Sequence, residues 1–418
     1  MIISVVLALT TPTGDAVPTW SQVEPIIASQ CATCHRPGGE GPFRLDRASD
    51  LAARRSFSAA VIRSGLMPPW LPGDEGIPRH GRGDLTPAQR ELLLAWLDGG
   101  APHPPGATAV PEAPDTGNVW TALPLESGYD IPAESEVVLH AHTHNLRTFA
   151  LPLANDQTSL VTGLRWSSPT VNALHGVAVA ADPSGQSELA DELEHPPGYH
   201  MSGDIGTIPA GSLGVLGVGA RTLQWPEGFG VEIPSASTMV TEVSYRPTGR
   251  ELPLEGTLEV QVAEPGDDLR RIESVMVMVP WIKLAAGEKR AEQATLTIPY
   301  DLDVIAVTPR GDHFLRSMRL VAVQPDGRQM VLADYPDWDP HWLQTEILQT
   351  PLRLPAGTRL NLDIFVDNTD DNPRNLSYPA RDRTLGRFTG VDGVMLHAAP
   401  ADPERQDELR AWLQERRR

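Results

Sequence analysis

The run Cys31-Ala32-Thr33-Cys34-His35 constrains this chain more than any other feature, because it holds the only two cysteines among 418 residues. Two thiols at that spacing add across the two vinyl groups of a haem, and the adjacent imidazole then lies beneath the iron as proximal ligand. A bare Cys-x-x-Cys reads as a redox dithiol, but the His directly after it changes the reading. Zinc is the structural alternative. It needs further Cys or closely spaced His partners, and the chain has no third cysteine. Haem c is therefore the expected cofactor, bound through Cys31, Cys34 and His35, in a redox protein working outside the cytoplasm.

The flanking residues fit a small helical unit. Ser21 to Ser29 reads as an amphipathic helix with Val23, Ile26 and Ile27 on its apolar side. Arg36-Pro37-Gly38-Gly39 then breaks the chain, and a second helix is expected from about Asp50 to Ser64. In Leu66-Met67-Pro68-Pro69-Trp70, Met67 stands where a loop can bring a thioether to the distal side of the haem. A Met ligand raises the potential and suits electron transfer; the alternative is that Met67 only packs on the haem. His80 and His103 are rival ligands, read as surface loop residues. Thr86-Pro87-Ala88-Gln89 opens a last helix whose Leu92, Leu93, Trp96 and Leu97 form one apolar face before Gly99-Gly100. Residues 17–101 thus make one compact unit, which resembles the small cytochrome c domains that carry a Met-Pro-Pro-Trp segment.

Residues 1–16 contain the apolar run Ile2 to Leu9, long enough for the core of a secretory signal and too short to span a bilayer, though without a positively charged start. A periplasmic or otherwise extracytoplasmic protein with no transmembrane segment is expected. The formal net charge of −20, with no cluster of Lys and Arg before Arg416-Arg417-Arg418, argues against nucleic acid. A redox partner protein of basic character fits this charge.

Residues 102–119 form a Pro-rich linker, and beyond it the texture changes. Short runs such as Glu136-Val137-Val138-Leu139, Val240 to Tyr245 and Leu320 to Val323 alternate with turns such as Pro325-Asp326-Gly327 and Pro355-Ala356-Gly357. The high content of Pro and Gly, 40 and 36 residues, suits short strands and many turns. Roughly 280 residues of this texture exceed the ~100 of one sandwich. The fold class expected is therefore multidomain: an N-terminal all-α cytochrome c domain, then two tandem antiparallel β-sandwich domains, jelly-roll-like, over residues 120–263 and 264–400. Residues 401–418 close the chain as a helix with Leu409, Trp412 and Leu413 turned inward.

Four segments carry a resemblance across this β-rich part: Ser244-Tyr245-Arg246-Pro247-Thr248-Gly249-Arg250, Ala306-Val307-Thr308-Pro309 with Ser317-Met318-Arg319, Leu354 to Leu360, and Val366 to Pro373. Trp120 to Ala399 resembles the copper type II, ascorbate-dependent monooxygenases of the peptidylglycine and dopamine hydroxylase family, and more closely bacterial proteins that fuse such a module to a small cytochrome c. The resemblance implies one copper per sandwich, with three His in the first and His-x-His plus Met in the second. Most of those ligands are missing. Leu174-His175 stands for the adjacent His pair, Ser244-Tyr245 for the third His, and Arg310-Gly311-Asp312 for His-x-His, with His313 displaced by one. Met395 keeps a place close to the expected Met. An isolated imidazole or thioether does not hold copper tightly enough to activate oxygen.

Other histidines offer a relocated site. If His140-Ala141-His142-Thr143-His144 is a strand, its three imidazoles project from one face, where two can lean onto one copper or zinc ion. A solvated strand edge or a cleft lining is the favoured alternative, and a haem-facing surface is the third. His195 and Tyr199-His200-Met201 could complete such a site. Asp334, Asp337, Asp339 and His341 around Trp338 and Trp342 read as a loop packing onto the sandwich. The function expected is extracytoplasmic electron transfer by a haem domain joined to a module that has lost its copper sites. The alternatives are a copper-dependent monooxygenase fed by the haem and acting on a small-molecule substrate, and a non-enzymatic copper-binding or sensing protein in which haem plays a secondary part.

Overall fold

The computed structural model describes residues 16–69, 72–73, 75–80, 85–109, 119–134, 145–200, 212–217, 221–264, 266–279, 281–342, 344–386 and 392–417. These residues divide into two compact units. One is helical and takes residues 16–37, 41–69 and 85–109; the other is β-rich and takes 38–40, 72–80 and the residues from 119 onward.

The helical unit is built from Trp20–Gln30, Ala48–Ala53, Arg55–Arg63 and Pro87–Asp98. The expected single helix from Asp50 to Ser64 is two, broken at Arg54, whose backbone leaves the helical range. The last helix begins at Thr86, whose hydroxyl accepts from Gln89 N while Gln89 Oε1 accepts from Thr86 N, so two of the orphan donors of a helix start are satisfied. Val23, Ile26 and Ile27 of the first helix and Leu93, Trp96 and Leu97 of the last share one core. The Pro-rich stretch does not leave the unit at once. Ala109 N donates to Asp46 O, and Arg47 bridges Thr108, so residues 107–109 return along the start of the second helix.

In the β-rich unit, antiparallel sheets are stacked in a sandwich-like way around two cores. The first core lies between a sheet ordered Trp120–Ile131, Leu252–Val262, Ser159–Ser167, Phe229–Ile233 and Arg270–Arg271, and a sheet ordered Leu146–Pro152, Thr238–Tyr245, Leu174–Asp182 and Ser212–Leu216. The second lies between Glu273–Met278, Gly393–Pro400, Leu302–Arg310 and Glu346–Leu354 on one side, and Lys289–Thr297, Arg359–Asp367, Leu315–Val323 and Gln329–Tyr335 on the other. The cores meet at the strand Leu302–Arg310. Val304 and Val307 belong to the second core, Ile305 and Ala306 to the first, and a register shift between Val304 and Ala306 lets one strand serve both. Its apolar run without alternation is what burial on two faces requires. The C-terminal helix Gln406–Arg417 turns Leu409 and Leu413 into the second core, and its Arg410 pairs with Glu232 (2.6 Å) and Glu273 (2.5 Å), one from each part.

Residues 72–80 are the departure from the sequence reading, which keeps them with the haem-binding residues. They run instead across an open side of the second sandwich, where Gln329–Tyr335 and Glu346–Leu354 are the edge strands of their sheets. Gly73 N donates to Asp334 O and Ile77 N to Val331 O; His80 N donates to Ile347 O, and Pro78 O accepts from Gln349 N. Both edges are thereby covered, which removes two unpaired rows of backbone donors and acceptors. The strap is anchored by Arg79, buried against Glu346 at 2.7 Å, with Arg79 Nη2 donating to Leu332 O and the Tyr335 hydroxyl to Glu346. Burial pushes the Glu346 carboxyl up, and Arg79 pulls it back down.

Removing the cation from this buried pair leaves a carboxylate with no counter-charge. Arg79→Met is expected to destabilise the β-rich unit by about 3 kcal/mol, and Arg79→Met with Glu346→Gln by clearly less. Denaturant midpoints of the two variants check this, and equal losses would refute the ion-pair account.

Candidate functional site

The first helix delivers Cys31 and the turn after it shapes the motif. Cys31 N and Ala32 N both donate to Ile27 O, then His35 N donates to Cys31 O at 2.9 Å, so the chain coils on itself and the motif is one local turn. Cys31 and Cys34 are both half-buried and form no disulfide. Burial, with a smaller contribution from Cys34, pushes the Cys31 thiol up to about 12.

His35 is almost buried, and its Nδ1 lies 2.8 Å from the Phe43 carbonyl. A carbonyl only accepts, so Nδ1 carries the proton and Nε2 keeps the lone pair that a metal takes. The Phe43 ring leans on the imidazole at 5.0 Å, and Leu45 N and Gly41 N tie the loop back to His35 O and Cys34 O. Gly41 is glycine for a steric reason: a Cβ there would fall on His35 Nδ1. Apolar surface continues outward from this ring. Phe57 (58 % exposed) meets Phe43 edge-on, and Leu66 (62 %) and Met67 (37 %) follow the helix that carries Phe57. With Val17 (44 %), these are the exposed large apolar side chains of the helical unit among the described residues. Met67 N is bonded to Val61 O. Of the rival ligands, His80 belongs to the strap of the β-rich unit, and His103 Nδ1 is bonded to Ala101 O.

His140, His142, His144 and Met201 lie outside the described residues. His200 is bonded through Nδ1 to Glu194 (2.7 Å) and reached by Arg147, a buried guanidinium that also holds the carbonyls of Pro197 and Gly198. Met395 lies on Gly393–Pro400 opposite Met276 and Thr308. His175 occupies a bulge: Leu174 pairs with Tyr245 and Gly176 with Ser244, so His175 is the extra residue and its side chain is re-aimed. It meets a histidine from the second sandwich. The His175 and His341 rings stack at 4.0 Å and 33°, and His313 stands edge-on to His341 at 5.8 Å.

His313 lies beyond the strand Leu302–Arg310, in the turn before Leu315–Val323. The loop of Trp338 and Trp342 does pack on the sandwich, with Trp338 buried edge-on to Tyr335, but it also presents His341. That role had no signal in the sequence beyond Asp339, whose carboxylate accepts from both His341 N and its Nδ1. Burial, then His341 and Arg246, push His175 down to about 3, while bonds from His341 hold Asp339 down at about 2 against burial, which pushes it up. As the side chains stand, no group of three or more His, Cys, Asp or Glu is arranged to hold a metal ion among the described residues.

A fourth histidine was missed entirely. His397 is fully buried between the two cores, its ring 5.1 Å from Trp225, with Nε2 bonded to the Thr308 hydroxyl (2.8 Å) and Nδ1 without a hydrogen-bond partner among the described residues. Thr308 passes on to Thr345 (2.7 Å), whose hydroxyl accepts from Val215 N of the first sandwich.

No protein-family model matches the chain, and no curated protein does. Among solved structures it is similar to PNGF-II, at 10 % identity and a TM-score of 0.27 over 66 % of this chain, and it spans 65 % of that one. A putative secreted protein from Eubacterium rectale follows at 9 % identity and 0.18, over 61 % and 69 % of the two chains. The infectious bursal disease virus VP2 subviral particle is at 10 % and 0.18, over 68 % and 72 %. No described helix is long and apolar enough to cross a membrane.

His397 sets a pH dependence. Burial pushes it down to about 3, below the ordinary value of about 6.5 that it regains on unfolding, so the unfolded chain takes the proton first. Its contribution to stability is complete above pH ~6.5 and is lost as pH falls from there towards 3, at up to about 1.4 kcal/mol per unit. His397→Gln is expected to flatten this acid limb. Urea midpoints between pH 7.5 and 4.5 test it, and parallel profiles for the two proteins would sink the assignment.

Proposed function

We propose that the helical unit is a c-type cytochrome domain and that the protein transfers electrons outside the cytoplasm, with haem joined to Cys31 and Cys34, His35 proximal and Met67 distal. The observation that carries this reading is the His35–Phe43 bond. A ring fixed by its Nδ1 proton, with Nε2 left to donate, is the arrangement of a metal-bound imidazole, and such second bonds raise its basicity. The exposed Phe57, Leu66 and Met67 supply the apolar cover that a haem needs. The group itself supplies a one-electron couple when bound. The protein's part is to hold His35 through Phe43 and Gly41, to shield one face, and to present Met67. The net charge of −20 favours a redox partner protein with a basic face.

In this reading the β-rich unit is a pair of jelly-roll-like sandwiches related to the copper monooxygenases, kept as a docking module after losing most of the family's ligands. A second reading, a haem-fed copper-dependent oxidoreductase acting on a small molecule, is favoured by one observation: His175 is drawn against His341 and His313.

The chain produced in a cell that matures c-type cytochromes should carry haem through denaturation, and Cys34→Ala should shift its pyridine haemochrome band to that of a single thioether. Haem that dissociates from the unaltered protein on denaturation would end the reading. Met67→Ala should lower the potential and remove the sulfur-to-iron absorption; an unchanged spectrum would leave Met67 as packing only. Gly41→Ala, which pushes on His35 Nδ1, should reduce the low-spin fraction at unchanged thioether content.

A further inference from the structure

The two buried arginines among the described residues are bonded at both terminal nitrogens. Arg79 Nη1 meets Glu346 and its Nη2 donates to Leu332 O; Arg147 Nη1 meets Glu194 and its Nη2 donates to Gly198 O. Arg221 departs from that pattern. Its Nε lies 2.5 Å from Glu40, one of the residues 38–40 of the β-rich unit, and its side chain is only 16 % exposed. Yet Nη1 and Nη2 are both closed off from solvent, and neither has a hydrogen-bond partner among the described residues. Four N–H donors without an acceptor at that depth are strongly unfavourable, because each has lost its water and gained nothing in return.

A second guanidinium stands nearby. Arg246 follows the strand Thr238–Tyr245; its N donates to Ala173 O and its Nε to Asn172 O at 2.9 Å, which fixes it beside the bulge of His175. It makes no ion pair among the described residues. Arg246 and Arg221 both push His175 down, so the two cations stand around one imidazole, which is itself neutral at pH 7. We propose that Arg221 and Arg246 bind the carboxylate of a small molecule, docked on the two unpartnered Nη atoms of Arg221. The planar fork of a guanidinium gives two parallel bonds to carboxylate oxygens, which a spherical halide cannot use. Charge narrows the class further. Glu40 offsets one of the two guanidinium charges, and Asp339 is held by His341 and the charge of Arg374, so one positive charge is left for the ligand. That suits a monocarboxylate better than a phosphate dianion.

The net charge of −20 works in the same direction, because the field of an acidic chain repels a dianion more than a monoanion. The site uses none of the haem-binding residues and needs no metal. It therefore goes beyond both readings above. Covalent haem content decides the first and copper content the second, and neither result bears on a carboxylate held by Arg221.

The experiment is saturation-transfer NMR of the haem-loaded protein titrated with acetate at neutral pH, with chloride exchanged for acetate at constant ionic strength. Saturable binding on the order of 1 mM is expected, a strength within reach of so small a ligand. Arg221→Lys keeps the charge beside Glu40 and removes the fork, so it should weaken acetate binding at least tenfold while the denaturant midpoint shows the fold intact. Arg246→Gln, at an exposed side chain, should weaken it about threefold, and Arg328→Gln, an exposed arginine elsewhere, not at all. Should Arg221→Lys fail to fold, thermal unfolding reads the same site: acetate in place of chloride should raise the parent's midpoint, and raise that of Arg246→Gln less. Phosphate should bind more weakly than acetate. No saturation below about 50 mM, equal affinity in the parent and a folded Arg221→Lys, or phosphate tighter than acetate would overturn the inference.

Discussion

The strand Leu302–Arg310 is the constraint on which the β-rich unit rests, because it is buried on both faces by two different cores. Val304 and Val307 enter one core and Ile305 and Ala306 the other, which a regular strand cannot do without the register shift that the structure shows between them. Two sandwiches joined through a shared strand cannot slide freely past each other. Side chains projecting from either side of that seam are therefore held at fixed separation, and this is what gives meaning to a ring contact between His175 and His341. Polar groups at the seam come in a linked set, His397 to Thr308 to Thr345 to the backbone of Val215, since an isolated polar group at that depth would be destabilising.

Two devices of different kind complete the framework. Residues 72–80 cover two sheet edges at once, and the Arg79–Glu346 pair holds them there. Such a pair contributes more to the choice of this arrangement over others than to net stability, because its desolvation offsets most of its attraction. At the other end of the chain Arg410 joins Glu232 to Glu273, so the last helix fastens both sandwiches.

The haem-type motif and the histidine seam differ in how their geometry arises. Among the described residues, the hydrogen bonds to His35 come from residues 31–46, in a turn closed by neighbouring backbone and kept open for the ring by Gly41. The seam has no local counterpart: His175 and His341 stand 166 positions apart and meet only once both sheets are folded.

The sequence by itself was enough for the local structure. It marked the helix of Val23, Ile26 and Ile27, the capped helix begun by Thr86-Pro87, the closing helix of Leu409 and Leu413, and a β-rich remainder, because capping, apolar period and turn chemistry act over a few residues. It also singled out Cys31, Cys34 and His35, which one local turn brings together. Tertiary structure alone decided that residues 72–80 leave the helical unit, that His397 is enclosed beside Trp225, and that His341 faces His175. Those outcomes depend on which sheet edges are open and which faces two cores share. They are properties of long-range strand pairing, and a pattern of period two or 3.6 along the chain carries no record of it.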